Sequence, residues 1–544
     1  MKIMKKMSIL TGIMLACSMG LTLVGCNDKS KVRLVEVDPY KLDSNFRDLR
    51  ISGMGMAGEQ FTEHYYIDEK EEKEYRKYAV EDVKVLVVPV DFTNYPSTDY
   101  GAGETQVESE MNSRRMLEKV FFGGPEDMEW YSLREYYKST SFGNCNVTGV
   151  VAPWYHTEIA STAVPKTSGK PDTAYSRQIA VKLQNKYRNT PIVDCDGNSY
   201  NLADFDANKD GFVDTIIMLY TPPITTTGEL WWAFATSVSG AYGVYTQDGK
   251  MEGANRYFWA SFKFLFEKNG GGYYTPEEIK NGTAKPDVHT MTHEFGHCLS
   301  LPDYYVTDYG DDYAGLGGLD MMDNNIGDHN AYSKTLYGWI NPKRIAGTKG
   351  KTKVTLKSTT TTGDAFIIPA PGEWNDTYLD QYLLVEFLTP EGVAEKDGKE
   401  KYLGYYPLYY SKAGVRITHV DARLGKFIYN SNRKAWEFSG YTGNYSGLGD
   451  TESVSLAASN TASDSAYPAY KEIELLPATG TYMSKGGEAN DSALYIEGDS
   501  FGMNGKYEDF KFNGIDGTQN KNFGFKIHID KINGYESATI TVSR

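Results

Sequence analysis

The sequence predicts an α+β protein: a mixed α/β block over residues 81–345, then an all-β, sandwich-like region over 346–544. Three observations carry this. Val83-Lys84-Val85-Leu86-Val87-Val88-Pro89-Val90 is a nearly continuous apolar run of strand length, as a strand covered on both faces requires. From Val107 to Val120 the apolar residues recur at helical spacing instead, through Met111, Met116 and Leu117, and the pattern stops at Gly123-Gly124-Pro125. Beyond residue 345, short period-two segments separated by Gly, Asn and Asp recur, among them Lys353–Leu356, Tyr382–Val385, Val415–Thr418, Phe525–Ile529 and Ala538–Val542.

The amino-terminal elements come first in the chain. Lys2, Lys5 and Lys6 precede an apolar stretch from Met7 to Val24, and Leu23-Val24-Gly25-Cys26 then meets a polar segment. Basic start, apolar run and small-residue junction predict an export signal over 1–25. Its Leu-x-Gly-Cys ending resembles the lipobox of bacterial lipoproteins, which implies lipid on Cys26 and a mature protein held at a membrane, outside the cytoplasm. Residues 26–80 are polar and charge-dense, and read equally as a tether or as an inhibitory propeptide. The block 27–80 contains no cysteine, so no thiol there can hold a metal latent. The chain carries a formal charge of −16 and no long Lys/Arg run, which excludes a phosphate-reading nucleic-acid partner. Five cysteines in 544 residues exclude a disulfide-built scaffold. The 42 tyrosines suit a β-rich protein with exposed binding surfaces.

The chemistry concentrates at Thr292-His293-Glu294-Phe295-Gly296-His297-Cys298-Leu299-Ser300-Leu301-Pro302-Asp303. On a helix, residues four apart share a face, so His293 and His297 can hold one zinc ion while Glu294 reaches its water. Val288, Met291, Phe295 and Leu299 supply the apolar period of that helix. His289 extends the i, i+4, i+8 series, but eight residues set it ~12 Å along the axis from His297, so it is read as structural. Asp303 is the better third ligand. Pro302 disfavours helix at Leu301, so the helix ends near Ser300 and the chain can fold back.

The spacing His-Glu-x-x-His-x-x-x-x-x-Asp is similar to that of metzincin peptidases, which usually carry Gly where Ser300 stands because the reversal favours a left-handed backbone. Gly317-Gly318-Leu319-Asp320-Met321-Met322-Asp323 resembles their methionine turn, with Met322 in the role of the residue beneath the metal. Further stations follow in order: Val83–Phe92, Glu135–Gly143, His329–Lys334 with Gly338-Trp339, and Gly414-Val415-Arg416-Ile417-Thr418-His419-Val420-Asp421. Together they resemble the bacterial immune inhibitor A-like zinc metallopeptidases over roughly 81–544. Departures are Ser300 for Gly, Leu319 for a common Trp and Asn330 for a common Pro.

The resemblance implies a metzincin-like peptidase domain, zinc on His293, His297 and Asp303, and Glu294 as general base toward extracellular proteins or peptides. Through the station at His329 it also implies a part for that residue at the oxyanion. His419 is read as a packed strand histidine. A second metal is expected at Asp206-Ala207-Asn208-Lys209-Asp210-Gly211-Phe212-Val213-Asp214, a calcium-loop pattern with oxygens from Asp206, Asn208, Asp210, the Phe212 carbonyl and Asp214, and Gly211 at the turn. Position twelve is Ile217, so the loop is not a full EF-hand. Asp308, Asp311 and Asp312 form another acidic cluster. The function expected is a surface-anchored zinc endopeptidase. The alternatives are a non-catalytic surface adhesin on a protease fold and a metal-dependent amidase or esterase; intact His293, Glu294 and His297 argue against decay of the site.

Overall fold

The computed structural model describes residues 29–39, 61–68, 73–225, 229–238, 256–306, 315–372, 374–433, 435–442, 451–461, 471–484, 486–514 and 519–544. The signal segment, Cys26 and the cluster Asp308, Asp311 and Asp312 lie outside the described residues. None of the described helices is long and apolar enough to cross a membrane.

The apolar run found first in the sequence is the central strand, Asp82–Asp91, and it is covered on both faces. It runs parallel to Asn146–Val151 on one side and to Thr215–Tyr220 on the other. Thr215–Tyr220 in turn runs parallel to Arg256–Ser261, and Phe234–Ser237 closes that side as an antiparallel edge strand. Val85, Val87, Ile217 and Leu219 pack on one face of the sheet, with Leu117, Tyr137, Met291 and Phe295 from three helices. Leu86, Val88, Ile216 and Met218 pack on the other, against Tyr175, Ile179 and Leu183 of the helix Ala174–Asn189. Each such side chain contributes about 1.5–3 kcal/mol when fully buried, so the sheet is a stiff platform for what rests on it. The expected helix spans Gln106–Phe122. It opens with a reciprocal cap between Thr105 and Glu108 and ends at Gly123.

The C-terminal region is a sandwich of a larger and a smaller sheet. The larger includes Ala365–Pro369, Gln381–Leu388 and Gly414–Asp421; the smaller orders Lys351–Lys357, Ser537–Ser543, Lys526–Asn533 and Ser500–Gly502. Leu383, Val385, Phe387, Val415 and Ile417 meet Ile527, Ile529, Ile540 and Val542 between them. The alternate residues Tyr382 and Leu384 of the same strand pack into the core of the α/β block. The larger sheet is therefore shared, and the two blocks have no separating linker. Arg416 and Glu386 form a buried pair at 2.8 Å on this sheet, and Glu386 also accepts the backbone N–H of Ala331. His419 packs edge-on against Phe510 and Phe512, as a strand histidine would.

The described parts of 26–80 are built into this body. Arg33–Val35 adds an antiparallel edge to the larger sheet beside Lys343–Ala346, with Val32 and Val37 buried. Phe61–Asp68 and Lys73–Val80 form a hairpin. The Val80 carbonyl accepts from the Trp339 indole, and the Val80 N–H donates to the Tyr337 carbonyl. Cys145, Cys195 and Cys298 are all buried and outside any disulfide.

Candidate metal centre

The helix His289–Cys298 lies wholly inside the protein, every residue of it buried. It ends where Pro302 demands. Ser300 adopts a left-handed conformation with φ of 80°. The Ser300 N–H then bonds the His297 carbonyl at 2.9 Å, and the Leu301 N–H reaches back to the Gly296 carbonyl at 3.0 Å. This 6→1, 5→2 pair is the hydrogen-bond pattern that closes a helix through a left-handed residue, usually glycine. Serine takes it here, and the reversal delivers Asp303 to the histidine face.

The three side chains converge. His293 Nε2 and His297 Nε2 are 3.0 Å apart, and each is 3.1 Å from Asp303 Oδ1. Both Nδ1 atoms are engaged elsewhere, His293 with the Met321 carbonyl and His297 with the Leu301 carbonyl, each at 2.8 Å. Carbonyls only accept, so both Nδ1 atoms carry protons, and in the neutral rings both Nε2 lone pairs face one carboxylate oxygen. Two ring nitrogens and a carboxylate oxygen this close form a group that could hold a metal ion. A tetrahedral ion with bonds of ~2.0–2.2 Å sets its donors ~3.3–3.6 Å apart, a few tenths of an ångström beyond the spacing seen, so the residues fit zinc. Burial alone would lower the His297 pKa, but Asp303 outweighs it and lifts it to about 9. Burial likewise opposes ionisation of Asp303, yet the two imidazoles hold its carboxyl far below the usual range.

Two elements frame this triad. Met322 lies under the helix, where a Cβ on Gly296 would meet its sulfur at 2.5 Å. Asp320 accepts the Met322 and Asn330 N–H groups, and Asp323 those of Leu316 and Gly318, which fixes the turn. On the other side Glu294 is buried, and desolvation raises its pKa. The Ala235 N–H of the edge strand offsets part of that rise, and the carboxylate oxygen Oε2 has no hydrogen-bond partner. Glu294 and the triad line a cavity of about 1240 Å³, whose walls include Ala235 and Thr236 of that strand.

His289 is structural, as its distance along the axis implied. It bonds Asp287 at 2.7 Å and Asp397 at 3.3 Å, stacked between Trp130 and Tyr402. His329 lies away from the cavity lining. It is buried against Tyr136, Tyr137, Tyr337 and Trp339, and both ring nitrogens lack partners. Burial, then Lys334 and His293, lower its pKa and hold it neutral. In the acidic loop, Asp206 accepts the Asp210 and Gly211 N–H groups, and Asp210 that of Phe212. Asp214 accepts from Lys84 at 2.7 Å and Ala207 at 3.3 Å. Asn208 instead donates to the Phe61 carbonyl. Sequence reasoning missed the Ala235 contact and the cavity walls at Trp232, Glu267, Tyr273 and Tyr405; the only local signals were the Trp231-Trp232 and Tyr405-Tyr406 doublets.

Two histidines and an aspartate closing on one point, beside a buried glutamate in an open cleft, are the arrangement of a metal-dependent hydrolase. Residues 71–221 match the model of the immune inhibitor A peptidase M6 catalytic domain. That match covers the central strand and the acidic loop and supports a metallopeptidase; the helix carrying His293 and His297 lies beyond it. No curated protein matches the chain.

Proposed function

We propose that the chain is a zinc endopeptidase that cleaves extracellular polypeptides and is held at a bacterial surface by lipid on Cys26. The observation that carries the reading is the mutual approach of His293, His297 and Asp303 within 3.1 Å, with the unpartnered Glu294 Oε2 beside them. The Leu-x-Gly-Cys junction supports the anchoring, and the metzincin-like spacing supports the peptide bond as target.

His293, His297 and Asp303 would hold the zinc, which when bound activates a water and polarises the scissile carbonyl. The chain's own residues do the rest. The Met321 and Leu301 carbonyls hold both imidazoles in the tautomer that leaves Nε2 free. Glu294 is buried beside the triad, and its raised pKa suits a group that takes a proton from water and returns it to the leaving amine. The edge strand Phe234–Ser237 borders the cavity and can pair with an extended polypeptide through its backbone.

Calcium in the loop 206–214 belongs to the same reading. Asp206, Asn208, Asp210, the Phe212 carbonyl and Asp214 would hold it, and the fit is electrostatic: burial, then crowding by Asp206 and Asp210, pushes Asp214 up to about 8, a cost that a cation relieves.

Glu294→Gln tests the reading. Zinc content by mass spectrometry should be unchanged and casein cleavage should fall ~10²–10⁴-fold. Normal cleavage by the variant, or cleavage untouched by zinc chelation, overturns it.

A further inference from the structure

The cavity holds a carboxylate that neither the triad nor Glu294 uses. Glu267 lines it together with Tyr273, Tyr405 and Tyr406. Glu267 and Tyr273 form a β-bridge, and the Tyr273 side chain acts on the Glu267 carboxyl, lowering its pKa in part. Tyr405 and Tyr406 stack at 4.9 Å, and both lie within electrostatic reach of Glu267. The Gly270 N–H donates to the Leu403 carbonyl and ties the two loops together. Tyr273 and Tyr405 are exposed large aromatics.

No Lys, Arg or His among the described residues pairs with Glu267, although lysines are near in sequence. Lys268 is taken by Glu278 at 2.8 Å and lies over the Tyr274 ring. Lys263 donates to the Tyr274 carbonyl. Burial, with Asp287 adding, pushes the Glu267 carboxyl up to about 7, which is the electrostatic mark of a missing counter-charge. An apolar substrate side chain here would seal an unpaired carboxylate from water, and an acidic one would be repelled. A guanidinium or ammonium satisfies both elements, since it can lie on tyrosine faces while its N–H groups reach the carboxylate. Arg177 is the one Lys or Arg among the lining residues, against Glu267, Glu294, Asp303, Asp323 and Glu488.

Resting on the peptidase reading, we propose that Glu267, walled by Tyr273, Tyr405 and Tyr406, is a specificity subsite for an arginine or lysine side chain of the substrate polypeptide. The test uses one peptide scaffold in which Arg, its uncharged isostere citrulline, or Glu is walked through the three positions either side of a cleavable bond. Binding to the zinc-loaded full chain carrying Glu294→Gln is read by calorimetry at pH 8, and cleavage by the wild type is read in parallel. At one position Arg should bind about tenfold tighter than citrulline, as a desolvated cation–π and charge-assisted pair would give. Glu267→Gln in the same background should abolish that ratio. Tyr405→Leu, at an exposed position, should lower it without burdening the fold.

If no position discriminates, or Glu267→Gln keeps the ratio, the subsite is overturned, while cleavage of the peptides by the wild type still upholds the peptidase reading. Selective binding with no cleavage of any peptide upholds the subsite and overturns that reading instead.

Discussion

His289→Gln should remove a pH-dependent part of the stability. His289 opens the metal-binding helix, 1% exposed, with Asp287 at 2.7 Å on one nitrogen and Asp397 at 3.3 Å on the other. Trp130 stacks on one face at 3.6 Å and Tyr402 on the other at 3.9 Å. Asp397 also accepts the Gly327 N–H, so the imidazolium joins the helix start to two further loops. Burial alone would lower the His289 pKa; the two carboxylates outweigh it and raise it from 6.5 to about 9. A pKa raised on folding means that the folded state holds the proton more tightly. The stabilisation is therefore complete below pH 6.5 and disappears as pH rises through 9. At 1.36 kcal/mol per pH unit it amounts to about 3 kcal/mol. Urea unfolding of both proteins at pH 6, 7.5 and 9.5 reads it out. The variant should be less stable by about 3 kcal/mol at pH 6, with the gap closing toward pH 9.5. A gap that stays constant across this range would refute the charged clamp and leave only lost packing.

Two further substitutions test the helix end and the turn beneath it. Ser300→Gly removes a left-handed cost of about 1–2 kcal/mol and a buried hydroxyl without a hydrogen-bond partner, against about 1 kcal/mol of added chain entropy, so the thermal midpoint should rise; a fall would show that the hydroxyl is needed. Gly296→Ala sets a Cβ 2.5 Å from the Met322 sulfur, and displacing that side chain should cost about 1–3 kcal/mol and weaken zinc retention in a chelator competition. Unchanged melting and retention together would remove Met322 from the support of the site.

What the sequence disclosed, and what it hid, follows from the range of each interaction. His293, His297 and Glu294 were legible because helical periodicity is local, and Asp303 because Pro302 forbids the helix to continue. The left-handed Ser300 follows from the same constraint: the chain must reverse within three residues, whichever residue stands there. The shared sheet was also partly written out. Tyr382-Leu383-Leu384-Val385-Glu386-Phe387-Leu388 is nearly continuous in apolar residues, and a strand covered on one face alone would alternate. Reading only its period-two fragments hid the second face, which packs into the α/β block. The described parts of 26–80 were hidden for the opposite reason. Their charge density is that of a solvated segment, and only their partners, Lys343–Ala346 and Trp339, reveal them as part of the body.

His329 lies close to the turn at Met322 in the chain, and its ring packs among four aromatic side chains. Asp287 shows what only three dimensions can connect. It holds the His289 imidazolium and lies close enough to Glu267 to raise its pKa. While His289 is charged, much of the Asp287 field is spent on it; when His289 is replaced, that field falls more fully on Glu267 and favours its protonated form. The clamp at the helix start and the carboxylate in the cleft wall thus share one aspartate, Asp287.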